Sequence, residues 1–275
     1  MAVITLTSDF GNKDYLAGAF KGILLSVFPQ ANPVDISHDI APFNFAEAAY
    51  IIRNSCPYFP EHSFHLLLVN LFDTDTCEPI LAYHQGQYYA TANNGLLPMV
   101  LNGQPEKAII LPLEEKYKYN TLSWARLFGD TIRHITSGQP FNHLGIEINH
   151  LYEKSNLQPN YRQDYIDGRI IFIDRFENVI VNITQKDFDT IGRGRSFYIQ
   201  FKANETIRKI SLGYPQVPEG GILAFFNAAG YLEIAVNKGN AAGLFGLQTF
   251  SHLSNPEFVK QRMFYQTVRI YFETL

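Results

Sequence analysis

A change of pattern near residue 153 constrains the fold of this chain more than any other feature. Before it, strand-like runs alternate with stretches of helical spacing. Residues 3–7 form a short β-branched run, and residues 14–28 then place Leu16, Phe20, Ile23, Leu24 and Val27 on one helical face, stopped by Pro29. Residues 33–36 predict a short strand. Asn44 with Glu47 three residues later predicts a capped helix ending near Pro57. Residues 64–69 are uninterruptedly apolar, as expected of a parallel strand covered on both faces. Residues 80–83 and 87–92, joined around Gly86, predict a hairpin, and residues 121–137 predict a helix closed by Gly138. This alternation specifies an α/β layer structure with a mostly parallel sheet.

The segment 153–163 (EKSNLQPNYRQ) is polar, carries a proline and has no periodicity, so it predicts a linker. The expected division is an N-terminal α/β domain over 1–153, a linker at about 154–163 and a second domain over 164–275. Beyond the linker the pattern reads as strand throughout, at 169–173, 179–183, 196–201, 222–226, 231–236 and 265–272, which predicts a small β-barrel or sandwich. With 275 residues, 46% of them apolar and 17% charged, the chain has the material for such cores.

The net charge is −4 and no Lys/Arg cluster stands against the acids, which argues against nucleic acid or an anionic membrane surface as partner. No run approaches the roughly 18–20 apolar residues of a membrane span. The N-terminal segment lacks the basic start and long apolar stretch of a signal peptide, and two cysteines are too few for a disulfide scaffold, so the expected location is the cytoplasm. The histidines, among them His62, His65, His143 and His150, form no metal-ligand spacing, and no metal is expected. The Asn182 and Asn204 sequons carry no meaning in a cytoplasmic protein. No GxSxG, P-loop or GxGxxG occurs.

Three clusters carry possible chemistry. Ser8-Asp9-Phe10-Gly11, with Asp14 shortly after, sits where a strand ends and a helix begins, the edge at which open α/β sheets gather ligands. Asp9 or Asp14 there suits a sugar diol, since one carboxylate accepts hydrogen bonds from two adjacent hydroxyls; helix capping is the alternative. The DFG triplet is not a kinase signature, because no glycine-rich loop, strand lysine or HRD segment accompanies it. In the second cluster Asp174 can hold an ammonium group, Phe176 can stack on a flat base, and the Asn178 amide offers a donor and an acceptor to an adenine edge; a polar hairpin tip is the alternative. The third, Asn227 to Gly230 and the residues after it, reads as turns.

These segments together, ITLTSDFG at 4–11, DYLAG at 14–18, DISHDI at 35–40, NNGLL at 93–97, the glycine-to-NIT stretch at 168–184 and GYLEIAVNKGNAA at 230–242, resemble the S-adenosylmethionine hydrolase (hydroxide adenosyltransferase) family, related to the SAM-dependent fluorinases and chlorinases. The resemblance covers nearly the whole chain. It implies an α/β N-terminal domain joined to a C-terminal β-barrel. It also implies a homotrimer that binds S-adenosylmethionine, a small-molecule nucleoside ligand, between one subunit's N-terminal domain and a neighbour's C-terminal domain. The reaction it implies is displacement of methionine from the ribose 5′ carbon by water, forming adenosine, with no cofactor besides S-adenosylmethionine as substrate or ligand. By the same resemblance Asp14 grips the ribose hydroxyls, with Asp9 in the same motif, and Phe43 stands at an aromatic position of the halogenases. Asp174 faces the methionine amino group, Phe176 stacks on adenine, and Asn178 meets the adenine edge.

The chain departs from that pattern where the chemistry is expected. Asn70 occupies the position of the family's aspartate, with no arginine near it, and the histidine position falls on Ser123 beside Trp124. Trp124 is also too bulky for a halide pocket. Ala228 replaces a serine that helps hold the methionine carboxylate, and Glu177 replaces a glycine. Two readings follow: a hydrolase whose polar set is rebuilt from Asp73, Asp75, Arg126 or Glu177, or a nucleoside-binding or sensing protein whose catalysis is lost or altered. A structural or interaction protein with a vestigial pocket is a third reading, disfavoured by the retention of Asp14, Asp174, Phe176 and Asn178.

Overall fold

The computed structural model of the protein describes residues 2–75, 77–154, 158–202, 205–247 and 267–273. Residues 155–157 of the linker, Asn204 of the second sequon and residues 265–266 of the last expected strand lie outside the described residues. The chain divides into two compact units, Met1–Asn156 and Leu157–Leu275.

In the first unit β1 (Ala2–Ser8), α1 (Leu16–Val27), β2 (Ala31–Ser37), α2 (Phe45–Ser55), β3 (Phe64–Leu68), β4 (Pro79–His84), β5 (Gln87–Ala92), α3 (Leu96–Leu101), β6 (Lys107–Ile110), α4 (Thr121–Thr136) and β7 (Ile146–Glu147) follow in order. Among the described residues they form one seven-stranded sheet, ordered β2-β1-β3-β5-β4-β6-β7. The pairs β2-β1, β1-β3 and β3-β5 are parallel, whereas β4 and β7 pair antiparallel with their neighbours. The fully buried run Phe64 to Leu68 explains itself by this position, with a parallel strand on either side. Asn44 caps α2 as expected: its Oδ1 accepts from the Glu47 backbone N–H (3.2 Å), and its own amide donates to Glu47 Oε2 (3.0 Å). Helices α1 and α4 cross closely because Gly129 lies against Val27, where an added Cβ would come within 3.3 Å. Ile4, Leu6, Phe20, Leu24, Leu66, Trp124, Phe128 and Ile132 make up much of this core.

The second unit holds β8 (Asn160–Tyr161), β9 (Tyr165–Ile173), β10 (Val179–Thr184), α5 (Gln185–Gly192), β11 (Phe197–Lys202), β12 (Glu205–Ile207), β13 (Ile222–Phe226), β14 (Tyr231–Val236), α6 (Ala241–Leu244) and β15 (Thr267–Phe272). The sheet runs β12-β11-β15-β9-β10-β14-β13, antiparallel at each of these pairings, with β8 added on β9. Its two ends approach where Ser211 N donates to Ala224 O (2.8 Å), nearly closing a barrel. Gly168 of β9 allows the tight interior: a Cβ there would lie 2.6 Å from the side chains of Val181 and Ile183. The unit is not strand throughout, as the sequence pattern suggested. Thr184 and Asp187 form a reciprocal capping box that starts α5, whose Phe188 and Ile191 pack on the barrel core.

Candidate functional site

In the first unit the carboxyl ends of three adjacent parallel strands converge on Asp9, which directly follows β1. Asp9 Oδ2 accepts from the backbone N–H of Asn70, just beyond β3 (3.0 Å), and the carboxylate also takes the N–H of Phe43, beyond β2. Burial pushes the Asp9 carboxyl up, and those backbone hydrogen bonds oppose the shift. Both partners have left-handed backbone, Phe43 at φ 63° and Asn70 at φ 48°. Asparagine tolerates that region readily; a phenylalanine there is strained and is held by its surroundings. The Phe43 side chain is exposed. Asp14, also exposed, accepts the Leu16 N–H through Oδ1 (2.6 Å), so one of its oxygens is engaged by local backbone just ahead of α1.

The segment after Asn70 is tied internally. Asn70 Nδ2 donates to Asp73 Oδ1 (2.5 Å), and Asp73 Oδ2 is paired with Lys154 Nζ (2.6 Å), which also lies 4.1 Å from the centre of the Phe45 ring. Asn94 holds the same backbone by donating to the carbonyls of Val69 and Asn70. Tyr119 donates to Asp75 Oδ1 at 3.4 Å. Trp124 does not line an opening: it is fully buried, packs edge-on against Phe72 and Phe128, and donates through Nε1 to Lys118 O (2.9 Å). Ser123 and Arg126 instead border an open hollow of about 480 Å³ with Ile23, Leu113 and Asp130. Among the described residues no hydrogen bond or ion pair joins Arg126 to Asp73 or Asp75.

The DISHDI segment contributes a chain that the sequence reading passed over. Ser8 Oγ lies 2.6 Å from His38 Nδ1, His38 Nε2 lies 3.1 Å from Asp35 Oδ1, and Asp35 Oδ2 takes Lys21 Nζ at 2.8 Å. Burial works to raise the Asp35 carboxyl, yet the Lys21 and His38 contacts hold it below its ordinary value. With Ser8 and His38 both buried, the arrangement joins β1 to β2 and presents no nucleophile to solvent.

In the second unit Asp174 organises the turn between β9 and β10. Its Oδ1 accepts from Phe176 N (2.9 Å) and Asn178 N (2.8 Å), and its Oδ2 from Asn178 Nδ2 (3.0 Å). Phe176 projects from the turn, 75% exposed. Glu177 sits at φ 63°, which accounts for glycine at that position in the family pattern. Behind the turn, Asn178 Nδ2 also donates to the Tyr214 hydroxyl (2.7 Å), Tyr214 donates to Glu233 Oε1 (3.3 Å), and Asn227 Nδ2 donates to Glu233 Oε2 (3.1 Å). Burial pushes the Glu233 carboxyl up; Asn227 opposes the shift and Asp174 adds to it. The sequence reading missed Tyr214 and Glu233. The available signal was Glu233 itself, a lone acid inside the otherwise apolar strand Tyr231 to Val236.

Residues 4–145 match the SAM hydroxide adenosyltransferase N-terminal domain, and residues 168–254 match the C-terminal domain of the same name. The chain belongs to the SAM hydroxide adenosyltransferase family. Within it, the chain is similar to an (R)-S-adenosyl-L-methionine hydrolase of Methanocaldococcus jannaschii, 30% identical over 88% of this chain and 91% of the relative. A Thermus thermophilus protein of that name is 27% identical over 90% of this chain and 97% of its own. A fluorinase of Actinoplanes sp. is 23% identical over 90% and 94%. The fold is shared with an uncharacterised conserved protein of Thermotoga maritima, at a TM-score of 0.77 and 19% identity over 98% of this chain and 99% of that one. As expected for the family, the chain combines an α/β unit with a nearly closed antiparallel barrel. No helix among the described residues is long and apolar enough to cross a membrane.

Proposed function

We propose that this protein binds S-adenosylmethionine and catalyses adenosine-forming hydrolysis. Water's oxygen forms a bond to the ribose 5′ carbon as the carbon–sulfur bond breaks; the sulfur keeps the electron pair, methionine leaves, and the water's proton passes to solvent. A sulfonium is already a good leaving group, so the protein need only align and desolvate the water. The observation that carries the reading is the 174–178 turn, where a carboxylate fixed by three hydrogen bonds stands beside an open aromatic ring. In this reading Asp174 takes the methionine ammonium, Phe176 stacks on adenine and Asn178 meets its edge. Asp14 grips the ribose through the oxygen not engaged by Leu16, with Asp9 and Phe43 shaping the floor. No metal or further cofactor enters. A cytoplasmic homotrimer, in which a neighbouring subunit completes each site, belongs to the same proposal.

A second reading, a binding or sensing protein, is favoured by one feature: Asn70 and Asp73 are engaged with each other and Lys154 rather than open to a water. Incubation with S-adenosylmethionine followed by chromatography separates the two. Adenosine and methionine above the protein-free blank support hydrolysis; binding without product selects sensing, and absence of binding contradicts both.

A further inference from the structure

The residues that lead into α4 stand at the same edge of the first unit's sheet as Asp9. Strand β6 pairs antiparallel with β4, which pairs antiparallel with β5, and β5 is parallel to β3. So β6 runs in the direction of β1 and β3, and residues 111–120 leave from the edge where the carboxyl ends of those strands lie. Two anchors fix the end of that segment. The buried Trp124 ring donates through Nε1 to Lys118 O (2.9 Å), and Asn120 Oδ1 accepts from Leu122 N and Ser123 N (both 3.0 Å). Tyr119 lies between them. Its ring stands edge-on to Phe72, with centres 5.9 Å apart, and the Lys118 ammonium lies 5.7 Å from its centre. A carboxylate only accepts, so the Tyr119 hydroxyl gives its hydrogen to Asp75 Oδ1 (3.4 Å) and keeps its lone pairs. Asp75 is exposed, and Tyr119 is 57% exposed. In this they differ from Asn70 and Asp73 on the same loop, which are engaged with each other and with Lys154.

We propose that Asp75 and Tyr119 are the catalytic pair that handles the attacking water, Asp75 taking one of its hydrogens and the Tyr119 oxygen orienting it through the other. This rests on the hydrolase reading given above, and it singles out Asp75 among the acids that could rebuild the polar set. As the water's oxygen bonds to the ribose 5′ carbon, the sulfur departs with the electron pair of the breaking bond. One water hydrogen passes as a proton to Asp75 and on to solvent; the other stays on the new hydroxyl of adenosine. Trp124, too bulky for a halide pocket, instead braces the segment that presents Tyr119.

The test is steady-state release of adenosine from S-adenosylmethionine by the full chain and by its Tyr119→Phe, Asp75→Asn and Asp75→Ala variants. Asp75→Asn is expected to lower kcat about a hundredfold and Tyr119→Phe about tenfold, each with KM within about threefold. Formate added to Asp75→Ala is expected to raise its rate by at least about fivefold, which a structural defect would not allow. Activity that both substitutions leave unchanged overturns the inference and leaves the hydrolase reading standing. So does a rise in KM at constant kcat, or a loss that formate does not reverse. Absence of adenosine from the unaltered protein overturns the hydrolase reading and this inference together. Both side chains are exposed, so the variants are expected to melt with the unaltered protein. Should they not fold, the single-turnover rate of the unaltered protein in heavy water decides. It is expected to fall about twofold or more, and equal rates in the two solvents overturn proton transfer to a base.

Discussion

Beyond β3 of the first unit, the polar side chains at Asn70 and Asp73 face each other and Lys154, while in the β9–β10 turn of the second unit they face inward and leave an aromatic ring outside. Both loops are stiffened by carboxylates that collect backbone N–H groups, Asp9 in one and Asp174 in the other. Both contain a left-handed residue that is not glycine. The difference lies in what remains for a ligand. The second loop is preorganised with recognition groups left over, whereas in the first the groups expected to direct a water are engaged with one another. Binding and chemistry therefore make separate demands on a chain, and the second can be rewritten while the first is kept.

The comparison breaks most sharply at Trp124. As a core residue packed on Phe72 and Phe128, it should cost about 3–5 kcal/mol on replacement by alanine, read as a shift in urea unfolding. A change of only a few tenths would mean that Trp124 borders a cavity.

The next effect tests how tightly the first unit's sheet is built. His65 is fully buried on β3, with Nδ1 bonded to Thr5 Oγ1 (2.8 Å), and burial pulls its imidazole down to about 4 from an ordinary 6.5. Its contribution is present above the unfolded value and is lost as pH falls towards 4, because the unfolded chain takes up the proton first; the loss is about 3 kcal/mol. Glu47, pushed up to about 7 by burial, acts in the opposite sense: between its unfolded value and 7 the folded state holds the extra proton and gains stability as pH falls. The useful quantity is therefore the difference between the unaltered protein and His65→Gln. Unfolding free energies measured from pH 7 to 4 should fall more steeply for the former, and parallel curves would contradict the assignment.

How far the chain was legible follows from these residues. Periodicity and capping pairs are local, so α1, α2, α4 and the β4–β5 hairpin were readable, as was the 174–178 cluster, whose members are neighbours in sequence. Helix α5 was passed over although Thr184 and Asp187 mark its start, because strand-like runs on both sides outweighed eight residues. Tyr214 and Glu233 reach Asn178 across 36 and 55 positions, and no local pattern reports a contact of that separation. Position along a helix sets where Trp124 stands but not the direction in which its ring points.

The smallest effect sharpens the account of the turn. Glu177→Gly relieves a left-handed backbone and is expected to raise stability by about 0.5–1 kcal/mol, a small rise in melting temperature. A fall instead would show that the Glu177 side chain holds the turn.

The most direct test is calorimetric titration of S-adenosylmethionine into the unaltered protein, Asp174→Ala and Asn70→Ala side by side. The account predicts that Asp174→Ala weakens binding by at least about tenfold while Asn70→Ala stays within about threefold. Affinity lost with Asn70→Ala and kept with Asp174→Ala would contradict it.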